Sequence, residues 1–245
     1  MLFKEEIHYE VESTQKLAVK IAKSQHNAHG TVIIAEKQTK GLGRTGRRWE
    51  SPVGGLYLSV IIQKPLPIKL FHGFSVRLGL EMAKLLEEKF SLPFKVKWPN
   101  DIMLNGKKIG GILIDMNAQN EEINYLVVGI GFNVNIRVQT LSDETRNIAT
   151  SLLEAKGERV SIKLVKDLIL RAVANVMEEL ETNNLRDLKQ EWKERSLTFG
   201  QKIFTELFGE GAECIEKGIT DSGDLIIELD GKEEIISNGD ITLIR

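Results

Sequence analysis

FKVKWPNDIMLNGKKIGGILIDM, residues 94–116, decides the fold. Two stretches, 94–98 and 102–104, read as strands separated by Pro99-Asn100-Asp101, and Pro, Asn and Asp are favoured turn residues. Asn105-Gly106 is a strong hairpin signal, because the favoured two-residue turn needs φ > 0 at its centre. It joins 102–104 to a further strand over 107–116. The Gly110-Gly111 pair inside that strand marks close approach of another group to the backbone. Upstream, residues 71–90 have helical spacing at Phe74, Leu78, Met82, Leu85 and Leu86. Residues 56–63, after Gly54-Gly55, and 31–35 read as buried strands, and Ser13 or Thr14 caps a helix with Leu17, Ala18, Ile21 and Ala22 on its apolar face. Downstream, 126–135 is a strand rich in Val and Ile. A helix from Ser161 carries one apolar face through Ile162, Val165, Ile169, Val173, Val176 and Leu180, and a shorter helix covers 185–195. Past Gly200 the texture changes. Short apolar stretches at 203–207, 212–219, 225–229, 234–236 and 241–244 alternate with Gly, Asp and Asn, which suits a small barrel of about five strands. The chain is therefore expected to be α+β, with a larger domain over 1–197 and a compact β domain over 198–245.

The segment richest in chemistry is QTKGLGRTGRRWES, residues 38–51. Gly41, Gly43 and Gly46 let the backbone approach a ligand closely. Five basic side chains and no acidic one fall between Lys37 and Arg48, and arginine presents forked donors to phosphate and carboxylate. Trp49 can lie over a ring. The glycines do not open a helix and no Gly-Lys-Ser/Thr follows, so neither the dinucleotide fingerprint nor the Walker loop fits. A solvated basic loop is the plain alternative on composition alone.

Composition narrows the class. With 245 residues, 42% hydrophobic, the chain can bury a sizeable core. A formal net charge of −2 gives no support to nucleic-acid binding. No apolar run is long enough to span a membrane, and the acidic start MLFKEEIHYE lacks a secretory pattern. The single cysteine, Cys214, excludes an internal disulfide and a cysteine-rich metal site and suits a reducing cytoplasm.

Three further segments join the loop and the KWPND turn: Ser13-Thr14-Gln15 at a helix start, KKIGGIL (107–113) and GIGFNVN (129–135). Singly they read as a helix cap, solvated lysines beside a tight strand, and core packing with a satisfied amide. In this order they resemble the biotin–protein ligase family over essentially the whole chain. The resemblance implies a class II synthetase-like fold: a mixed β-sheet backed by helices with a Src-homology-like C-terminal β-barrel. It implies a two-step reaction, in which biotin and ATP form biotinyl-5'-AMP and pyrophosphate, and a lysine of a biotin carboxyl carrier protein then displaces AMP. Mg²⁺ assists, and the family pairs as homodimers. By the same resemblance Ser13, Thr14, Gln15, Gln38, Gly41, Leu42, Gly43, Arg44, Lys108 and Gly111 bind biotin. Arg44, Arg47, Trp49, Asn100 and Asn133 serve ATP, Lys108 and Arg44 are the catalytic cations, and Asp101 orients the site or helps hold the metal.

Two departures stand out. Gln15 replaces the usual Asn, and Leu42 removes the first cation of the usual G-R/K-G-R loop. His8, His26, His29 and His72 have no expected catalytic part, and Cys214 is expected to pack. Lipoate ligation on a related fold is the neighbouring reading, but KWPND and K-x-x-G-G favour biotin. A nucleotide-sensing module without catalysis is the alternative from another class. A DNA-binding repressor needs a helix-turn-helix before residue 13, so no DNA partner is expected.

Overall fold

The computed structural model describes residues 1–206 and 211–244. Strand β1 (Lys4–Val11) leads to helix α1 (Thr14–Ser24), whose N-cap is Ser13, and then to β2 (Thr31–Gln38) and β3 (Leu56–Ile62). Helix α2 (Phe74–Phe90) precedes β4 (Phe94–Lys97), β5 (Asp101–Leu104), β6 (Lys107–Gln119) and β7 (Glu122–Phe132). Asn105 and Gly106 both have positive φ, 51° and 73°, as the Asn-Gly hairpin requires. Short helices α3 (Asp143–Ile148) and α4 (Leu152–Lys156) follow, then α5 (Ile162–Glu181) and α6 (Lys189–Arg195).

The seven strands form one sheet in the order β1-β2-β3-β7-β6-β5-β4. β1 runs parallel to β2 and the other pairs are antiparallel, so the sheet is mixed. Both faces are covered. Val32, Val60, Ile62, Leu126 and Val128 pack into the core under α2 and α5, while Ile33, Ile61, Tyr125 and Val127 pack against Ala18 and Ala22 of α1. Burial on both faces is why these strands read as unbroken apolar runs instead of alternating ones. β1 is the exception. It is an exposed edge, with Glu6, His8 and Glu10 on one face and Ile7 and Tyr9 open to solvent on the other, and no strand was expected there from sequence. α3 and α4 were likewise not anticipated. Their caps, Ser142 and Ser151, accept from backbone N–H groups three residues on, but the helices are too short to show a period.

The C-terminal part is an antiparallel sheet of β8 (Lys202–Thr205), β9 (Ala212–Ile219), β10 (Leu225–Leu229), β11 (Lys232–Ile236) and β12 (Ile241–Leu243), ordered β11-β10-β9-β8-β12. All five expected strands are present, although Leu207, placed at the end of the first, lies outside the described residues. This sheet does not stand apart. Ile203, Cys214, Leu225 and Ile227 belong to the same apolar cluster as Leu78, Phe94 and Trp192. Two tryptophans stitch the seam: Trp98 Nε1 donates to Gly223 O at 3.1 Å, and Trp192 Nε1 donates to Glu216 Oε1 at 2.7 Å.

Glu216 is fully buried on β9 and receives further hydrogen bonds from the Ser196 and Thr198 hydroxyls. Burial raises its carboxyl above the usual value of 4.5, and the three donors only partly offset that. A raised carboxyl binds its proton more tightly folded than unfolded. It therefore favours the fold below the unfolded pKa, and that contribution is lost as pH rises through the folded one. Glu216→Gln, which keeps the shape and a carbonyl acceptor, is expected to flatten this dependence. The gap in melting temperature between variant and parent should widen in the variant's favour from acid toward neutral pH. A pH-independent gap would show that folding does not raise the Glu216 carboxyl.

Candidate active site

A cavity of about 640 Å³ opens between the middle of the large sheet, the 38–51 loop and the C-terminal sheet. Its floor is glycine. Gly111 on β6 faces Gly131 on β7, and Leu113 faces Gly129. A Cβ on Gly131 would sit 2.5 Å from the Trp49 ring, and one on Gly111 would be 3.3 Å from both Trp49 and the Lys108 side chain. The slot is thus only as wide as glycine permits, and Trp49 lies across it. Trp49 Nε1 is buried with no hydrogen-bond partner among the described residues, so a donor is left over at the cavity wall.

One end of the cavity is a buried polar corner. Thr14 and Gln15 open α1, Gln38 ends β2 and Ser59 lies in the middle of β3. Gln38 Oε1 accepts from the Thr14 backbone N–H at 2.8 Å, and Gln38 Nε2 donates to Ser51 Oγ at 2.9 Å. Gln15 lines the cavity, yet its amide is turned onto protein: Nε2 donates to Asp115 Oδ2 at 2.8 Å and Val127 O at 3.1 Å, and Oε1 accepts from Ser59.

The other end is charged. Lys108 on β6 pairs with Asp101 of β5 at 2.6 Å, and its ammonium lies 5.2 Å from the centre of the Trp49 ring. Lys97, at the end of β4, also faces the cavity. Burial pushes its ammonium below the usual value, with Asp101 opposing and Lys108 adding to the shift. Asn100 is held by its amide donating to Ile112 O at 2.6 Å, and Asn133 braces the following loop by donating to Thr150 O at 2.9 Å.

The 38–51 loop folds over this end as a hairpin, with bridges Gln38 to Ser51 and Leu42 to Arg48 and a 3-10 turn at Arg44–Gly46. Arg44 donates to Asp240 Oδ1 at 3.1 Å and to Gly239 O at 3.1 Å, and Arg47 pairs with the other Asp240 oxygen. The far end of the loop is tied down too. Glu50 accepts from the Ser142 N–H at 3.1 Å, from the Ser142 hydroxyl and from Thr145. Burial works to raise the Glu50 carboxyl, and these hydrogen bonds outweigh it, holding it below the usual value.

Nearly every residue singled out from sequence meets here: Ser13, Thr14, Gln15, Gln38, Leu42, Gly43, Arg44, Arg47, Trp49, Asn100, Asp101, Lys108, Gly111 and Asn133 all line the cavity. Gly41 is not among the lining residues; within the loop its backbone is packed on the Trp49 carbonyl and Ser51. None of the four histidines lines the cavity, and Cys214 is buried in the C-terminal sheet. Sequence reasoning gave no site role to Ser59, Asp115, Glu50 or Asp240, nor to Lys97, although Lys97 opens the KWPND motif it singled out. Ser59 and Asp115 did carry a signal, as lone polar residues in the apolar runs LYLSVII and GILIDM.

Comparison with known proteins fits this geometry. The profile of the Biotin/lipoate A/B protein ligase family matches residues 8–133, from β1 through the glycine floor. The chain belongs to that family. The bifunctional ligase/repressor BirA of Bacillus subtilis is 32% identical over 237 residues, covering 96% of this chain and 73% of that protein. The biotin–[acetyl-CoA-carboxylase] ligase of Mycobacterium tuberculosis is 29% identical over 235 residues, covering 91% and 83% of the two chains. Among solved structures, the biotin protein ligase from Aquifex aeolicus in complex with biotin and ATP superimposes with a TM-score of 0.81 at 29% identity, over 99% of each chain. The family's mixed sheet with helices and a terminal β sheet is the fold expected from sequence.

Proposed function

We propose that this cavity joins biotin to ATP and passes the acyl group to a lysine of a carboxyl carrier domain. The observation that carries the reading is that the polar corner at Ser13–Gln15 and the cations Lys108 and Arg44 open onto one cavity. A ligand with a polar ring at one end and a carboxylate at the other fits that polarity. In the first step a biotin carboxylate oxygen attacks the α-phosphorus of ATP and pyrophosphate leaves. Both partners are anionic, so the chain's task is to cancel their repulsion. Lys108 lies where the carboxylate arrives, and Arg44, Arg47 and Lys97 surround the phosphates. Ser13, Thr14, Gln38, Leu42, Gly43 and Gly111 enclose the ring, with Gly41 letting the two arms of the loop close together and Gln15 acting through its neighbours. Trp49, Asn100 and Asn133 flank the nucleotide. In the second step the carrier amine attacks the acyl carbonyl and AMP leaves.

Asp101 offers a carboxylate to a Mg²⁺ that arrives with ATP. The described residues contain no cluster of three or more metal-ligating side chains, which suits an ion that keeps its waters and phosphate ligands. Such an ion would neutralise phosphate charge.

The reading extends to the whole chain. Residues 1–197 act as the catalytic domain and 198–245 as a β domain whose Asp240 closes the site. The unpaired edge β1, with Ile7 and Tyr9 exposed, supports pairing of two copies as a homodimer. No described helix is long and apolar enough to cross a membrane, and we place the enzyme in the cytoplasm, where Cys214 stays a thiol. Incubation with biotin, ATP and Mg²⁺ is expected to yield a species with the mass of biotinyl-AMP. Formation of lipoyl-AMP instead would move the protein to the sister chemistry, and no adenylate at all would leave a sensor.

A further inference from the structure

Resting on that reading, we propose that Glu50 is a positioning residue that ties the 38–51 loop to the 142–148 wall of the cavity. Through it, biotin that closes the loop tightens the site's hold on ATP, and ATP tightens its hold on biotin. Both carboxylate oxygens of Glu50 are turned onto that wall. Oε1 accepts from the Ser142 hydroxyl at 2.5 Å and from the Thr145 hydroxyl, and Oε2 accepts from the Ser142 N–H at 3.1 Å. An ionised carboxylate only accepts, so three donors on one partner match it without conflict. Helix α3, which makes up most of this wall, has no buried residue, so packing does not hold it. Its other polar contacts stay within its own stretch of chain, such as Arg146 to Asp143 and the Arg146 N–H to Ser142 O. Among the described residues, Glu50 is the one distant side chain that hydrogen-bonds to residues 142–148.

The tie joins the two ends of the cavity. On the loop side, Glu50 stands between two anchored neighbours. Ser51 Oγ accepts from Gln38 Nε2 in the polar corner at 2.9 Å, and the Ser51 carbonyl accepts from the Gln38 N–H at 3.1 Å. Trp49 lies across the glycine floor. Glu50 therefore moves with the part of the loop that meets the ring. On the wall side, Thr145, Ile148 and Ala149 line the cavity. Thr150 follows directly. Its N–H donates to Lys108 O at 2.9 Å, and its carbonyl accepts from Asn133. Lys108 and Asn133 are the residues read above as serving the carboxylate and the nucleotide. The wall is thus fixed to the large sheet at Thr150 and to the loop at Glu50. A loop that lifts takes the carboxylate away and leaves its three donors to water. A loop held down by a ligand keeps the wall in place for the second ligand. The two ligands therefore reinforce each other, and by linkage the factor is the same in both directions.

The test is calorimetric titration of biotin with and without a saturating non-hydrolysable ATP analogue and Mg²⁺, and of the analogue with and without biotin. In the parent each ligand is expected to tighten the other by about 10-fold. In Glu50→Ala that factor should fall to within about twofold of unity, while biotin alone binds within about threefold of the parent. Glu50→Gln keeps one acceptor oxygen and should fall between the two. Ser142→Ala/Thr145→Val removes both hydroxyls from the other side and should lose most of the factor with Glu50 intact. Combined with Glu50→Ala it should add little, because both changes cut one tie. A merely structural role would weaken each ligand measured alone and leave the factor unchanged. That result, a full factor in Glu50→Ala, or independent losses in the combined variant would each overturn the tie. A parent that binds both ligands without mutual tightening overturns it as well and leaves the ligase reading standing. A parent that binds no biotin overturns the ligase reading, and the tie with it.

Discussion

Lys108→Ala is expected to lower biotinyl-adenylate formation by roughly 10²–10³-fold, the scale for removing one donor aimed at transition-state charge. Two effects add. The variant loses the cation we propose for the incoming carboxylate, and it leaves Asp101, now held 2.6 Å from the ammonium, unpaired in the cavity. Lys108→Ala combined with Asp101→Asn should therefore recover part of the loss, whereas Asp101→Asn alone should cost less than Lys108→Ala. Pyrophosphate exchange at saturating biotin and ATP measures this directly. Exchange at the parental rate in Lys108→Ala would remove Lys108 from the catalytic set.

The second large effect is expected at Arg44. This side chain reaches Asn100 across the cavity and Asp240 and Gly239 in the C-terminal sheet, so one guanidinium bridges loop, large sheet and small sheet. Ordering a loop costs roughly 1–2 kcal/mol per residue in backbone entropy, so the lid needs every such tie. Leu42 supplies no charge where the expected G-R/K-G-R pattern has a first cation, which places more of the work on Arg44. Arg44→Gly should close poorly and release the reactive adenylate to water and to bystander lysines. Limited trypsin digestion reads the lid, because Arg44, Arg47 and Arg48 are cleavage sites within it. A saturating non-hydrolysable adenylate analogue should protect the parent strongly and Arg44→Gly weakly, with biotinylation of an added albumin rising only in the variant. Equal cleavage of the parent with and without the analogue would show that the loop is not a lid.

Much of this was legible in the sequence. Tight turns are local, so the Asn105-Gly106 hairpin and the Pro99–Asp101 corner placed three strands before any contact was known. The helices α2 and α5 followed from apolar spacing, and the terminal strands from their turns. What escaped is non-local. β1 is a strand only because the edge of β2 accepts it, and its own residues show no apolar run. Asp240 sits in an ordinary Ser-Asn-Gly-Asp turn, and nothing nearby in sequence says that it meets Arg44 from almost two hundred residues away. Gln15 was expected to face the ligand because its motif does. The direction of its amide is set by Ser59, Asp115 and Val127, all distant in sequence. Conversely, the alternating glycines at Gly129 and Gly131 looked like packing and turned out to be clearance for Gln15 and Trp49.

The chain has three tryptophans, and none of them is an ordinary core filler. Trp49 is part of the lid and has the Lys108 ammonium over its ring, while Trp98 and Trp192 both donate across the seam between the two sheets. Indole emission shifts and quenches with nearby charge and with water, so the molecule carries its own optical gauges. In Trp49→Phe the remaining light comes only from the seam, and in a Trp98→Phe/Trp192→Phe background it comes only from the cavity. Stopped-flow traces of the two would separate the moment the site fills from any movement of the C-terminal sheet, with no dye attached.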